Sequence, residues 1–214
     1  MKKFFIFAIA MLSAIAVKSQ TSFFSNVKYD ISVGLGTRVS NEPFDEARFG
    51  FHLGVDAKKA IKSFSEGKFD TFGMIGLHFV QKGGKQSNDF MEMLETGNSF
   101  SVNQLSIPIH GGITYNLKKG SLFLDLGPYL AFGIGGTDME GFERKAIDFG
   151  IGFNLGYNFK KLAFSIGYDK GFTNIATYEV TANNNSTSDL SIGDKYNLKG
   201  NAMYMTLRWT LGKK

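Results

Sequence analysis

The sequence predicts an all-β protein, an eight-stranded antiparallel up-and-down transmembrane β-barrel. Three observations lead to this prediction: apolar residues alternate with small or polar ones over most of the chain, eight such segments occur, and short connections alternate with long polar ones. Gly and Phe are both abundant, with 26 and 22 among 214 residues, and this combination does not favour a helical protein. The absence of Cys excludes a disulfide framework, a thiolate metal site and a Cys nucleophile.

The N-terminus has the pattern of a secretory signal peptide. Lys2 and Lys3 precede an uncharged, largely apolar run over 4–17, which is shorter than the roughly 20 residues of a membrane-spanning helix. We therefore expect a signal peptide at 1–19 and an outer-membrane β-barrel domain at 20–214. Removal of the signal peptide leaves 21 basic and 19 acidic residues, a net charge of +2, so we expect no nucleic-acid partner.

Eight alternating segments follow the signal peptide. The first runs from Val27, and the third is the least regular because Phe72 and Met74 lie on its otherwise polar face. The sixth is the most regular, since every odd position from Ile147 to Phe159 is apolar or aromatic. The segments lie at about 27–40, 49–60, 69–82, 101–116, 121–134, 146–159, 161–173 and 200–212.

The connections divide into two groups, as expected for a barrel with two different rims. We predict short links at 61–68, 117–120 and 159–161, and mostly long, polar ones at 41–48, 83–100, 135–145 and 174–199. In a bacterial membrane barrel, short turns face the periplasm and longer loops face the exterior. The sequence therefore predicts a periplasmic rim at the short links and an extracellular rim at the long ones.

The alternation alone fits either a soluble barrel with its apolar face inward or a membrane barrel with that face against lipid. An even number of strands of ten or more residues suits an apolar band about 25 Å tall. The polar face is rich in Gly, Ser, Ala and Asn, which suit a narrow interior that Leu, Ile and Phe would overfill. We therefore expect the apolar face to contact lipid in the outer membrane of a Gram-negative-type bacterium.

Four short motifs resemble one known family. The stretches 104–109, 126–130, 148–159 and 167–175 are similar to the outer-membrane β-barrel (PorT-like) family of Bacteroidota, often given a porin-family label. The resemblance covers most of 23–212. It implies an eight-stranded outer-membrane barrel, and it alone suggests a part in protein secretion.

With the apolar face outward, the opposite parity places a polar set in the lumen. Unpaired buried charge is costly, so we expect these side chains to pair and to fill the barrel as a plug. Arg208 and Asp30 are expected near the same end, where they can pair. The set comprises Lys28, Asp30, Arg38, Asp56, Lys58, Asp125, Asp148, Asp169 and Arg208, together with the histidines His52, His78 and His110.

Two of these histidines are candidate ligands of a metal ion. A hairpin that turns near residue 65 places His52 directly opposite His78, with Cβ atoms about 5 Å apart. A zinc site needs further ligands, and Asp56 lies roughly 13 Å along the strand at about 3.3 Å per residue. We therefore expect hydrogen bonding in the lumen, with no metal and no cofactor.

Lipid-modifying enzymes exist on eight-stranded barrels, so the interior Ser and His residues bear on catalysis. A hydrolase needs a Ser within hydrogen-bond reach of a His, whereas Ser106 and His110 share a face but lie about 13 Å apart along a strand. The Gly-rich stretch 133–136 suits strand packing and turns. We therefore predict that the chain is not an enzyme.

The predicted rims differ in charge, and the loops are the remaining functional candidates. We expect a structural or surface-interaction role through the extracellular loops, with outer-membrane lipid and an extracellular ligand or envelope protein as partners. The alternatives are a narrow porin-like channel for ions or small solutes, and a PorT-like secretion component. The short rim is basic, with Lys62, Lys68, Lys118, Lys119, Lys160, Lys161, Lys213 and Lys214, and the long rim is mainly acidic, with Glu42, Asp45, Glu46, Asp89, Glu92, Glu95, Asp138, Glu140, Glu143, Glu179, Asp189 and Asp194.

Overall fold

A computed structural model describes residues 27–40, 47–85, 99–137, 141–179 and 193–211. The predicted signal peptide at 1–19 and most of the acidic loop residues lie outside these ranges. Within them, no helix is long and apolar enough to cross a membrane. The strands are β1 (Val27–Val39), β2 (Arg48–Phe64), β3 (Phe69–Lys85), β4 (Ser99–Leu117), β5 (Gly120–Gly136), β6 (Phe142–Arg144), β7 (Ile147–Phe159), β8 (Leu162–Glu179) and β9 (Lys195–Leu211).

Eight long strands close into a ring. Each pairs antiparallel with its neighbours in chain order, apart from the short β6, which pairs only with β8. The last strand, β9, closes the ring by pairing with both β1 and β8, and Trp209 lies between Ile31 on one side and Leu162 on the other. The predicted eight-stranded antiparallel barrel is therefore confirmed.

Several strands are longer than the alternation predicted. β2 continues to Phe64, so the predicted link at 61–68 is only a tight turn at 65–68. β8 and β9 extend into the predicted loop at 174–199, and β6 lies inside the one at 135–145. The physical reason is visible in β8, where register shifts on either side of Asn174 let the successive residues Ile175 and Ala176 both point inward. Such bulges break the period of two from which strands are recognised.

The apolar face points outward, as predicted. On β5, alternate residues from Leu122 to Ile134 are exposed, and on β9 the same holds from Met203 to Trp209. At about 3.3 Å per residue and a tilt near 40°, thirteen residues of β5 give a band of roughly 30 Å. This height matches the hydrocarbon core of a bilayer.

Two apolar clusters occupy the inside of the barrel, one toward each rim. Toward the short turns, Phe72, Met74, Phe123 and Ala163 form a buried cluster. The irregular third segment therefore has its aromatic residue inside the barrel. Toward the long loops, a second cluster is formed by Phe100, Val102, Ile175, Ala176, Tyr178 and Leu198. The polar interior residues lie between these two clusters.

Large inward-facing rings lie directly over glycines of neighbouring strands. A Cβ atom at Gly34 would overlap the His52 ring, and one at Gly54 would overlap the His78 ring. The close approach of a ring to bare backbone requires Gly at these positions, which accounts for much of the Gly content of the inward face. The same relation holds between Gly112 and Phe72, Gly150 and Tyr129, Gly156 and Phe123, and Gly167 and Tyr204.

Candidate functional site

The candidate site is the polar band inside the barrel. Of the predicted lumen residues, one does not belong to it: Lys28 is exposed at the short-turn rim, opposite Lys58 in the β1–β2 register. It has the inward parity, but it lies beyond the cluster of Phe72 and Phe123, where the barrel opens to water. His78, Asp169 and Lys58 are half-buried, and the buried members are Asp30, Arg38, His52, Asp56, His110, Asp125, Asp148 and Arg208.

An ion pair crosses the interior from β3 to β7. The Lys82 Nζ atom lies 2.6 Å from Oδ2 of Asp148, and the two side chains are 1% and 0% exposed. Nζ also donates to the hydroxyl of Tyr129 at 2.7 Å, and Thr173 donates to Oδ1 of Asp148 at 2.9 Å. Since β4 and β5 separate β3 from β7, this pair spans the barrel rather than bridging neighbouring strands.

Lys82 was missed among the predicted lumen residues. It has the same parity as His78, and that signal was available in the sequence. The predicted segment ends at residue 82, directly before the predicted link at 83–100, and Lys82 is absent from the predicted lumen set. In the structure β3 continues to Lys85, which places the Lys82 side chain well inside the barrel.

Asp56 is held between an imidazole and a guanidinium group. Nε2 of His78 lies 2.8 Å from its Oδ1 atom, and Nε of Arg208 lies 3.9 Å from its Oδ2 atom. The predicted pair of Arg208 with Asp30 is therefore wrong. In the register of β1 and β9, Arg208 faces Ser32 and its side chain extends toward β2, whereas Asp30 lies opposite Thr210.

The predicted direct opposition of His52 and His78 is also wrong. The turn is centred between residues 66 and 67, and a bulge between Ala60 and Lys62 shifts the pairing, so His52 lies opposite Val80. The two rings nevertheless stack, with centroids 5.9 Å apart and planes inclined by 10°. The hydroxyl of Thr206 lies 3.2 Å from Nε2 of His52 and is its hydrogen-bond partner.

His110 occupies a separate polar cluster. Its Nδ1 atom lies 2.8 Å from Oδ1 of Asp125, which also accepts a hydrogen bond of 2.8 Å from the amide of Asn154. The Nε2 atom has no hydrogen-bond partner within the described part of the chain. A further pair joins β9 to β8, where the Tyr204 hydroxyl donates to Asp169 at 2.9 Å.

Cations also contact aromatic rings inside the barrel. The Lys58 Nζ atom lies 3.4 Å from the centroid of Phe72 and 5.2 Å from that of Phe123. The Arg208 guanidinium lies 5.5 Å from the Phe123 ring on the same side. Such cation–π contacts stabilise charge that is withdrawn from water, so the apolar cluster near the short turns also accommodates two cations.

Little space remains between these groups. A cavity of about 20 Å³ lies among Arg38, His52, His78, His110 and Tyr204, enough for about one water molecule. Among the residues that the structure describes, no three His, Cys, Asp or Glu side chains are arranged to hold a metal ion. The cavity can therefore accommodate water, but not a substrate of ordinary size.

A family model described as "Outer membrane protein beta-barrel domain" matches residues 18–177. No curated protein matches the sequence.

The solved structures that are similar to this chain include PagL, Neisserial surface protein A and Ail. The outer membrane enzyme PagL is 11% identical, covers 85% of this chain and 99% of its own, and gives a TM-score of 0.47. Neisserial surface protein A is also 11% identical, with 86% and 97% covered and a TM-score of 0.45. Ail of Yersinia pestis, in complex with the heparin analogue sucrose octasulfate, is 13% identical, with 87% and 99% covered and a TM-score of 0.39.

The prediction that this chain is not an enzyme requires correction. One protein of similar fold, PagL, is an outer membrane enzyme. The prediction relied on the distance from Ser106 to His110 along one strand, which tests a single pair of residues inside the barrel. Neither the strand pattern nor that one distance excludes catalysis.

Proposed function

Because the chain belongs to the outer membrane protein β-barrel domain family, we propose that it is a closed outer-membrane barrel with a structural or surface-interaction role. The surface role is assigned to the loops that connect the strands at the rim opposite the short turns. The observation that carries the closed state is the buried pair of Lys82 and Asp148, which crosses the interior from β3 to β7. In this proposal the polar set acts as a plug.

Bilayer recordings of the refolded full-length chain test the closed state. We expect no stepwise conductance from the wild type, because two apolar clusters and the Lys82–Asp148 pair lie across the path. A heat-dependent shift in gel mobility identifies folded protein in each preparation. Reproducible steps from folded wild type, of a size that scales with salt concentration, would instead support the narrow channel and overturn the plug.

Epitope insertion on whole cells tests the surface role of the loops. A tag at Asn184, between β8 and β9, should be stained on intact cells, because long loops face the exterior in this class of barrel. A matched tag between Lys118 and Lys119, in the β4–β5 turn, should be stained only after the outer membrane is permeabilised. The reverse pattern would place the long loops in the periplasm and remove the basis for a surface role.

The proposal also includes membership of the PorT-like group and a cleaved signal peptide. The PorT-like motifs at 104–109 and 126–130 support membership of that group and an origin in the Bacteroidota, with secretion as the associated role. Deletion of the gene tests this role, because loss of a secretion component should deplete secreted proteins from the medium. Cleavage of a signal peptide before Gln20 is tested by the intact mass of the protein in the outer-membrane fraction.

A further inference from the structure

The short-turn rim is made of three hairpin turns that expose lysines to solvent. These turns lie at 65–68, 118–119 and 160–161, and they join β2 to β3, β4 to β5 and β7 to β8. Within the described residues, the acids at this rim are Glu66 and Asp70, and Asp70 already accepts hydrogen bonds from Ser63 and Asn116. Besides Lys28 on β1, the exposed lysines in and beside these turns are Lys62, Lys68, Lys118, Lys119, Lys160 and Lys161.

These lysines begin where the apolar outer surface ends. Lys160 directly follows Phe159, and its Nζ atom lies 5.3 Å from the centroid of that exposed ring. The Nζ atom of Lys62 lies 5.0 Å from the centroid of the Phe64 ring. Because the apolar surface marks the depth of the hydrocarbon core, the ammonium groups lie at the level of the lipid phosphates.

The backbone at Lys160 adds a second observation. Its φ angle is 56°, in the left-handed region that Gly and Asn adopt more easily than a long side chain. A lysine held in this conformation at the tip of a two-residue turn costs stability. The turn therefore carries a charge at a position where an uncharged Gly would fit the backbone better.

From the charge, the depth and the turn conformation together, we propose that the short-turn rim binds the head groups of anionic phospholipids. The phosphate of the lipid would accept hydrogen bonds from the lysine ammonium groups, while the acyl chains pack on the adjacent aromatic side chains. Because these lysines lie at the edge of the apolar belt, a lipid in the same leaflet reaches them without leaving the membrane. The proposal does not depend on whether the barrel conducts.

Trp209 provides a local probe. It is the only Trp in the chain, it is exposed on the outer face, and it pairs with Leu162 next to the turn at 160–161. The backbone N–H of the following residue, Thr210, donates to the carbonyl of Lys161 at 2.8 Å. A brominated lipid bound at this turn will therefore quench the Trp209 fluorescence.

The full-length chain is placed in vesicles of brominated phosphatidylglycerol and unbrominated phosphatidylcholine in varied ratio, and the quenching of Trp209 is measured. The measurement is then repeated with the bromine on phosphatidylcholine and none on phosphatidylglycerol. We expect phosphatidylglycerol to associate at Trp209 about fivefold more strongly, since one lysine near an anionic surface contributes about 1 kcal/mol. Raising the salt to about 1 M, where the Debye length is about 3 Å, should reduce the preference toward unity.

Variants separate this site from general attraction. Lys160→Gly with Lys161→Ser removes both charges and suits the local backbone, so the barrel should remain heat-modifiable while the preference at Trp209 falls to near unity. The matched control, Lys118→Ser with Lys119→Ser in the β4–β5 turn a quarter of the way around the ring, should leave the preference unchanged. Equal association of the two lipids with the wild type, or a preference retained in the 160–161 variant, would overturn the proposal.

Discussion

Replacing Lys82 with Met should destabilise the barrel by about 3–5 kcal/mol, because the change leaves a buried carboxylate without its counter-ion. In the structure, Lys82 is joined to Asp148 at 2.6 Å and to Tyr129 at 2.7 Å. Once the cation is removed, the hydroxyls of Thr173, at 2.9 Å, and Tyr129, at 3.4 Å, are the remaining side-chain donors to Asp148 among the described residues. Two neutral hydrogen bonds, worth about 1 kcal/mol each, do not compensate for a charge withdrawn from water.

The free energy of unfolding can be measured by urea titration of the folded protein in lipid vesicles, with Trp209 fluorescence as the signal. Lys145→Met is the matched control, since Lys145 also pairs with a carboxylate, that of Glu143 at 2.9 Å. Its side chain and that of Glu143 are 37% and 72% exposed, so the control should lose less than about 1 kcal/mol.

A double variant isolates the pair itself. Lys82→Met combined with Asp148→Asn removes both charges, so its loss of stability should be smaller than the sum of the two single losses. The reasoning would be refuted if Lys82→Met alone cost no more than the Lys145→Met control. That result would mean that water reaches Asp148 in the interior, and it would also weaken the case for a closed barrel.

Three further predictions concern packing, a turn and a hydrogen-bonded cluster. Gly54→Val should cost roughly 1–3 kcal/mol in the same titration, because the new side chain would overlap the His78 ring, and an unchanged stability would show that the ring can move away. Lys160→Gly alone should raise stability by about 1 kcal/mol by relieving a positive φ angle, and a loss would show that the lysine is stabilising. Asp125→Asn should lower the free energy of unfolding by about 1.5–3 kcal/mol, because His110 loses a charged partner. An unshifted His110 resonance in the NMR spectrum of this variant would contradict the prediction.

The parity of each strand could be predicted from the sequence, because the bilayer requires one continuous apolar face. This is why Asp125, Asp148 and Arg208 were assigned to the interior from alternation alone, and the structure buries all three. Period two gives only the side of the strand on which a residue lies. It does not give its height along the barrel or the residue that faces it across the lumen.

The partners of these residues could not be predicted, because register depends on turn length and bulges. A turn centred between residues 66 and 67 rather than at 65, together with the bulge between Ala60 and Lys62, moves the partner of His52 from His78 to Val80. The reach of long side chains adds a further uncertainty, since Arg208 contacts Asp56 two strands away. Contacts across the lumen, such as Lys82 with Asp148, follow from closure of the whole ring and have no local signature.

The pairing of inward rings with glycines bears on how the strands find their partners during insertion. A slip of one residue would turn the apolar side chains away from lipid, so the membrane itself opposes that error. A slip of two residues keeps every apolar side chain outward, and the lipid cannot discriminate against it. In the pairing of β2 with β3 it would, however, move His78 off Gly54 and bring its ring against the side chain of His52 or Asp56. The interior thus selects among alignments that the bilayer accepts equally.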